Sequence, residues 1–277
     1  MMLPKHLAIP TAAALLTITA AGTAEAGSGC TQRAIEPTEL RQAFNMAART
    51  RDYLEQSGAE VALVARVGAD LSEHGLRYTH MGAVLRNHPA GHWMFVHLLN
   101  ECGADTSGIY DEGLVNFYLD DLFAFEGVVL IPKPELQHRL TAILSGPRAT
   151  QLHHPVYSMI ARPTATKYQN SNQWLLETIA MAQAPEGAVH TRAQAQQYFA
   201  AHGYRADTVR IGDFQRLGAA FTRANVRFDD HSSDESGNRR YEVASVRSVA
   251  RYLETTGSLT TAVVLGPEGP PKPAVKY

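Results

Sequence analysis

Ser171 stands at the centre of five consecutive uncharged polar residues, Gln169-Asn170-Ser171-Asn172-Gln173, between Tyr168 and Trp174. The run passes without a break into the helical pattern Trp174-Leu175-Leu176-Glu177. Five polar side chains in a row are wasteful on a surface and costly in a core. They make sense where a helix N-terminus is aimed at something polar. The unpaired N–H groups and the helix dipole there favour negative charge. Ser171 therefore reads as a nucleophile or a ligand contact, with Tyr168, Asn170, Asn172 and Gln173 as the substrate-binding or oxyanion set around it. The plainer reading is capping, because Asn and Ser are favoured N-cap residues.

Two histidines give that serine a partner. His80 lies in the strand pattern Arg77 to Leu85, where His80, Gly82 and Val84 share one face. A small residue beside a histidine leaves room for a substrate or a partner helix. His97 lies in Trp93-Met94-Phe95-Val96-His97-Leu98-Leu99, a run too apolar to hold a polar side chain by chance. With the two strands paired through the loop Arg86 to Gly91, both imidazoles fall on one face. A base with a second group to orient it is the logic of an activated nucleophile, and His97 would fix the tautomer of His80. The alternative is that each imidazole simply donates to a backbone carbonyl. His153-His154, Asp120-Asp121 and Asp229-Asp230-His231 are weaker clusters without zinc-type spacing. No metal and no cofactor is expected.

The elements that must position these residues follow from periodicity. Pro37-Thr38 opens a helix with Leu40, Ala43, Phe44, Ala47 and Leu54 on its apolar face, ended by Gly58. Val61 to Val67 reads as a central strand, apolar except for Arg66. Arg77 to Leu85 and His92 to Leu99 complete an antiparallel meander. Phe123 to Ile131 is a further strand, Pro134 to Leu144 a helix, and Val156 to Ala161 a short strand. The helix that starts at Asn170 runs to about Ala184. Thr191 with Gln194 forms a capping box for the next helix, which ends at Gly203. Ile211 to Arg223 reads as helical, Tyr241 to Val246 as a strand or helix entry, and Val246 to Thr256 as a helix. Strands clustered between helices predict an α+β fold, an antiparallel sheet packed against helices.

The first residues have the form of a leader: Lys5, the apolar run Leu7 to Ala21, and the small-residue site Ala24-Glu25-Ala26. The expected organisation is a signal peptide over 1–26, a single α+β domain over 27–262 and a disordered tail over 263–277. A periplasmic or secreted product follows. The net charge of −2 argues against a nucleic-acid partner, which needs a basic face. No second apolar run approaches membrane-spanning length. The partner expected is a cell-envelope substrate or ligand whose identity the residues do not encode. The two cysteines, Cys30 and Cys102, read as a disulfide in an oxidising compartment. A reactive Cys102 thiol is the alternative, although no cationic neighbour in sequence would lower its pKa.

The segments Val61 to Gly68, Tyr78 to Gly82, His97 to Gly103 and Tyr168 to Trp174 resemble a bacterial family of exported proteins, the domain-of-unknown-function 2145 family, from about Leu40 to Leu253. More distantly, the order of parts is similar to circularly permuted papain-like proteins, the group of NlpC-type amidases and lecithin:retinol acyltransferase. That resemblance implies a permuted papain-like fold, with His80 as base, His97 as the orienting residue, and Ser171 after Asn170 in the nucleophile position. Those proteins carry Cys where this chain has Ser171, and a hydroxyl is a weaker nucleophile than a thiol. Two functions are therefore expected in competition. One is a hydrolase or acyltransferase acting on an amide or ester; the other is a binding protein of the same fold without chemistry.

Overall fold

The computed structural model of the protein describes residues 34–120, 122–212 and 225–274. The leader, Cys30 and all but the first two residues of the expected helix over 211–223 lie outside the described residues. In chain order the elements are α1 (Pro37–Ser57), β1 (Val61–Val67), β2 (His80–His88), β3 (Gly91–Asn100), β4 (Ser107–Glu112), α2 (Leu114–Leu119), β5 (Ala124–Pro132), α3 (Pro134–Leu144), α4 (Ser171–Gln183), α5 (Arg192–Ala201), β6 (Asp207–Arg210), α6 (Ser233–Asn238), β7 (Arg240–Val243), α7 (Val246–Thr255), β8 (Leu259–Leu265) and β9 (Lys272–Pro273).

The fold is α+β. Seven strands form one sheet in the order β4-β3-β2-β1-β5-β8-β9, and every pairing within it is antiparallel. β1 is buried along its whole length, as its apolar run requires of a strand covered on both faces. Because side chains alternate along a strand, each strand feeds two cores. On one face, Leu63, Ala65, Met81, Ala83, Val96 and Leu98 pack under α3, α4 and α7. On the other, Ala62, Val64, Val84, Phe95 and Val129 pack under α1 and α2. β6 and β7 form a separate two-stranded ribbon.

α1 begins at Pro37 behind a Glu36–Glu39 capping box, and Gly58 ends it in the left-handed conformation at φ 69°, where glycine carries no steric penalty. Its buried stripe is Ala43, Met46, Ala47, Thr50 and Leu54. Leu40 and Phe44, expected on that stripe, are exposed. The expected loop Arg86–Gly91 is shorter than its turn residues suggest. Asn87 pairs with His92 and His88 with Gly91, so only Pro89 and Ala90 lie outside the two strands.

Val156 to Ala161 does not form a strand. It makes only two isolated bridges, Thr106 with Val156 and Tyr157 with Gln169, because the chain turns back at Ser158, whose carbonyl accepts from Ala161 N–H. The expected disordered tail over 263–277 is also corrected as far as residue 274. Val263 to Leu265 belong to β8, which closes on β5, and Lys272–Pro273 pair with β8. The apolar run Ala262-Val263-Val264-Leu265 supplies a strand for the open edge of β5. The Arg49 guanidinium holds the carbonyls of Gly266 and Gly269 behind it.

Candidate active site

α4 starts where the polar run predicts, and the run is buried throughout. Asn170 is the N-cap: its Oδ1 accepts from the Gln173 N–H at 2.7 Å, and its Nδ2 donates to the Met159 carbonyl at 3.3 Å. Gln169 accepts from His154 N–H at 2.8 Å and donates to the Leu152 carbonyl and to Glu177. Asn172 ties the helix to β2, accepting from Met81 N–H at 3.1 Å and donating to the Thr79 carbonyl at 3.2 Å. Gln173 donates toward the carbonyls of Arg162 and Pro163. Tyr168 donates to Asp229. Four of the five polar side chains therefore fasten the helix start, and this is why a polar run is tolerated inside the protein.

The fifth points elsewhere. Ser171 Oγ lies 3.0 Å from His80 Nδ1, and His80 Nε2 lies 2.9 Å from His97 Nδ1. The imidazole planes meet edge-on with centroids 5.1 Å apart. His97 Nε2 faces Glu112 Oε2 at 3.3 Å, an ion-pair distance off the line of a full hydrogen bond. Serine, two imidazoles and a carboxylate thus stand in one row, drawn from α4, β2, β3 and β4.

The sheet explains the row. His80 is opposite Arg66 in the β1–β2 register, and the β2–β3 ladder runs only to Ala83 and Val96. His80 therefore lies at the opened end of β2, beside the α4 terminus that Asn172 holds there. Gly82 leaves no room for a ligand, contrary to expectation. Its face is filled by the Phe95 ring and by His97, whose Cβ would sit 2.8 Å from any Cβ at position 82. Glycine is required because His97 and Phe95 must approach the β2 backbone this closely.

Burial decides the charge of the row. His80 is pushed well below the ordinary imidazole value, first by burial, then by the Arg66 and His97 charges nearby. His97, only 1% exposed, is lowered by burial against the opposing pull of Glu112. Both imidazoles are neutral near pH 7, the form that accepts a proton. Arg66, the one charged residue of β1, is buried over the Phe117 ring and bonds the Phe117 carbonyl and Asp120. It supplies positive charge beside the row without joining it.

Three contributors were not read from the sequence. Glu112 ends a polar edge strand with no periodic signal. Tyr157, whose hydroxyl contacts the Ser171 side chain, is brought there by its single bridge to Gln169. Burial pushes its phenol up to about 12, so it is a neutral donor. The third is Arg66 as a tuning charge. With the side chains of Asn170, Asn172, Gln173 and Tyr168 engaged by the protein, the groups left to meet a developing oxyanion are the first-turn N–H groups of Ser171 and Asn172, which have no intrahelical acceptor.

Cys102 has no place in this row, since both nitrogens of His80 and of His97 face other groups. Among the described residues there is no free cysteine. Among them too, no cluster of three or more His, Cys, Asp or Glu could hold a metal ion. His231 is fastened to the Ile160 carbonyl and Glu235, and Asp229 to Lys167 and Tyr168. A cavity of about 520 Å³ at the C-terminal ends of α4 and α7, lined by Gln183, Tyr198, His202 and Thr256, lies at the other end of α4 from Ser171 and shares no residue with the row. None of the described helices is long and apolar enough to cross a membrane.

A family model described as an uncharacterized protein conserved in bacteria (DUF2145) matches residues 53–253, a span that holds Ser171, His80, His97 and Glu112. No curated protein and no solved structure matches the chain.

Proposed function

We propose that this chain, which belongs to the uncharacterized bacterial family DUF2145, is an exported hydrolase or acyltransferase of permuted papain-like fold that acts on an amide or ester. The observation that carries the reading is Ser171 Oγ at 3.0 Å from a neutral, half-buried imidazole that is itself held by a second imidazole. Ser171 Oγ attacks the carbonyl carbon while its proton passes to His80 Nδ1. The carbonyl oxygen takes up the negative charge against the N–H groups of Ser171 and Asn172, with the Tyr157 hydroxyl as a further donor. The His80 proton goes to the leaving amine or alcohol, and an acyl-serine remains. Water or an acceptor alcohol then attacks the acyl-serine, its proton passing to His80 and from His80 to Ser171 Oγ as the acyl group leaves.

The test is covalent labelling of Ser171 by a serine-directed fluorophosphonate. Label in the natural chain and none in Ser171→Ala or His80→Ala supports the reading. The competing reading is a binding protein of the same fold without chemistry. It draws on the 5% exposure of Ser171, which leaves little of the hydroxyl for a substrate to reach, and it requires no label at all.

The pH dependence follows from the base. The acting form of His80 is neutral, and its pKa lies well below 6.5. Labelling is expected to continue undiminished as pH falls through 6.5, with its acid limb below that value. A midpoint at or above pH 6.5 would contradict a base desolvated beside Arg66.

Export and a Cys30–Cys102 disulfide belong to the same reading. They rest on the leader pattern, on the chain having only these two cysteines, and on the lack of a free cysteine among the described residues. Alkylation of the protein isolated from the periplasm or medium is expected to modify neither cysteine until a reductant is added. A chain that retains the leader and reacts at once removes this part of the proposal.

A further inference from the structure

The row of four groups has a direction, and one residue sets it. A neutral imidazole carries a single N–H. If His80 is to take the Ser171 proton at Nδ1, that nitrogen must hold a lone pair, so the His80 hydrogen is on Nε2. It then donates across 2.9 Å to His97 Nδ1, which must also hold a lone pair, so the His97 hydrogen is on Nε2. That hydrogen faces Glu112 Oε2 at 3.3 Å. In the reversed order His97 donates to His80, and His80 donates its Nδ1–H to Ser171. The base is then lost, and the His97 Nε2 lone pair faces a carboxylate. An ionised carboxylate only accepts, so the reversed order sets two acceptors against each other.

We propose that Glu112 is a positioning residue that polarises the row toward Ser171, acting through His97 on the tautomer of His80. This rests on the reading of Ser171 as nucleophile and His80 as its base. The surroundings of Glu112 suit the task. Its side chain is 26% exposed, in a cleft of about 200 Å³ lined also by Leu99, Asn116, Leu119 and Asp120. Water reaches the carboxylate there, which keeps it ionised at the far end of a row in which Ser171 and His97 are buried. The His97 imidazole and the Arg66 guanidinium face it, with the Asp120 carboxylate in the same cleft, and the contact with His97, followed by the Arg66 charge, holds its carboxyl below the usual range.

The experiment is long-range nitrogen–proton correlation NMR on the imidazoles of the intact protein at neutral pH, in the natural chain and in Glu112→Gln. The natural chain is expected to carry both hydrogens on Nε2, at His80 and at His97. In Glu112→Gln, whose amide can donate as well as accept, a His80 Nδ1–H population is expected to emerge, and fluorophosphonate labelling to slow by about 10- to 100-fold, by analogy with the loss of a carboxylate behind a metal-bound histidine. Nδ1–H on His80 in the natural chain overturns the proposal and needs no variant. So does a folded Glu112→Gln protein with unchanged tautomers. The two readings fail separately: the expected tautomers without any label leave Glu112 in its role and sink the hydrolase, whereas labelling with unchanged tautomers in Glu112→Gln does the reverse.

Discussion

Replacing His80 with Ala slows covalent labelling of Ser171 by roughly 10⁴- to 10⁶-fold, the range that follows removal of a working member of a serine triad. The size comes from the chemistry of the hydroxyl. An unassisted serine is almost wholly protonated at neutral pH and attacks poorly. Among the described residues, His80 Nδ1 at 3.0 Å is the one ring nitrogen placed to take its proton. His97→Ala is expected to cost less, because His97 reaches the hydroxyl only through His80. The measurement is the second-order rate of fluorophosphonate adduct formation by intact mass. Equal rates in His80→Ala and the natural chain would mean that any label arises from a hydroxyl the imidazole does not serve.

Breaking the pair beneath α4 unfolds the helix start rather than the chemistry. Glu177 is fully buried, where burial raises its pKa against the Arg192 charge. Arg192 grips it at 2.9 and 3.1 Å, and Gln169 and Gln196 complete its hydrogen bonds. Arg192 also bonds the carbonyls of Thr166 and Tyr168, so it fixes the segment that leads into Asn170. Arg192→Met leaves a buried carboxylate without its cation and is expected to cost about 3–5 kcal/mol in urea unfolding. Glu177→Leu combined with Arg192→Met recovers part of that loss, because an apolar pair avoids the cost of burying charge. A loss under about 1 kcal/mol in the single variant, the range of surface ion pairs, would contradict this account of how the helix start is held.

These two effects separate what the sequence discloses from what it conceals. The start of α4 is legible because an N-cap Asn stands before a helical apolar pattern. His97 is legible because a polar residue in so apolar a strand needs a reason, and β1 and α3 match their predicted bounds because each is one unbroken pattern between turn residues. The role of the side chains around Ser171 is not legible in the same way. A run of polar residues shows that hydrogen bonds are made, but not whether they are made to a ligand or to the protein. For this run the partners lie elsewhere in the chain, at Leu152 and Arg162 in the segment before it and at the distant Thr79 and Met81. Glu112 was hidden for a different reason. β4 is an edge strand, and Ser107-Gly108-Ile109-Tyr110-Asp111-Glu112 lacks the apolar alternation that reveals strands with a buried face. Tyr157 was assigned to a strand, yet a single bridge beside Gln169 brings it to the site. Periodicity finds elements; it does not find residues whose place depends on one tertiary contact.

The central claim is that Ser171 is a nucleophile activated by His80 at the start of a buried helix. Its most direct test is tandem mass spectrometry of the fluorophosphonate-treated protein, with the adduct mapped to a residue. The account predicts one adduct, on Ser171, absent from Ser171→Ala. An untouched Ser171 in folded protein, or an adduct on another hydroxyl that persists in Ser171→Ala, would contradict it.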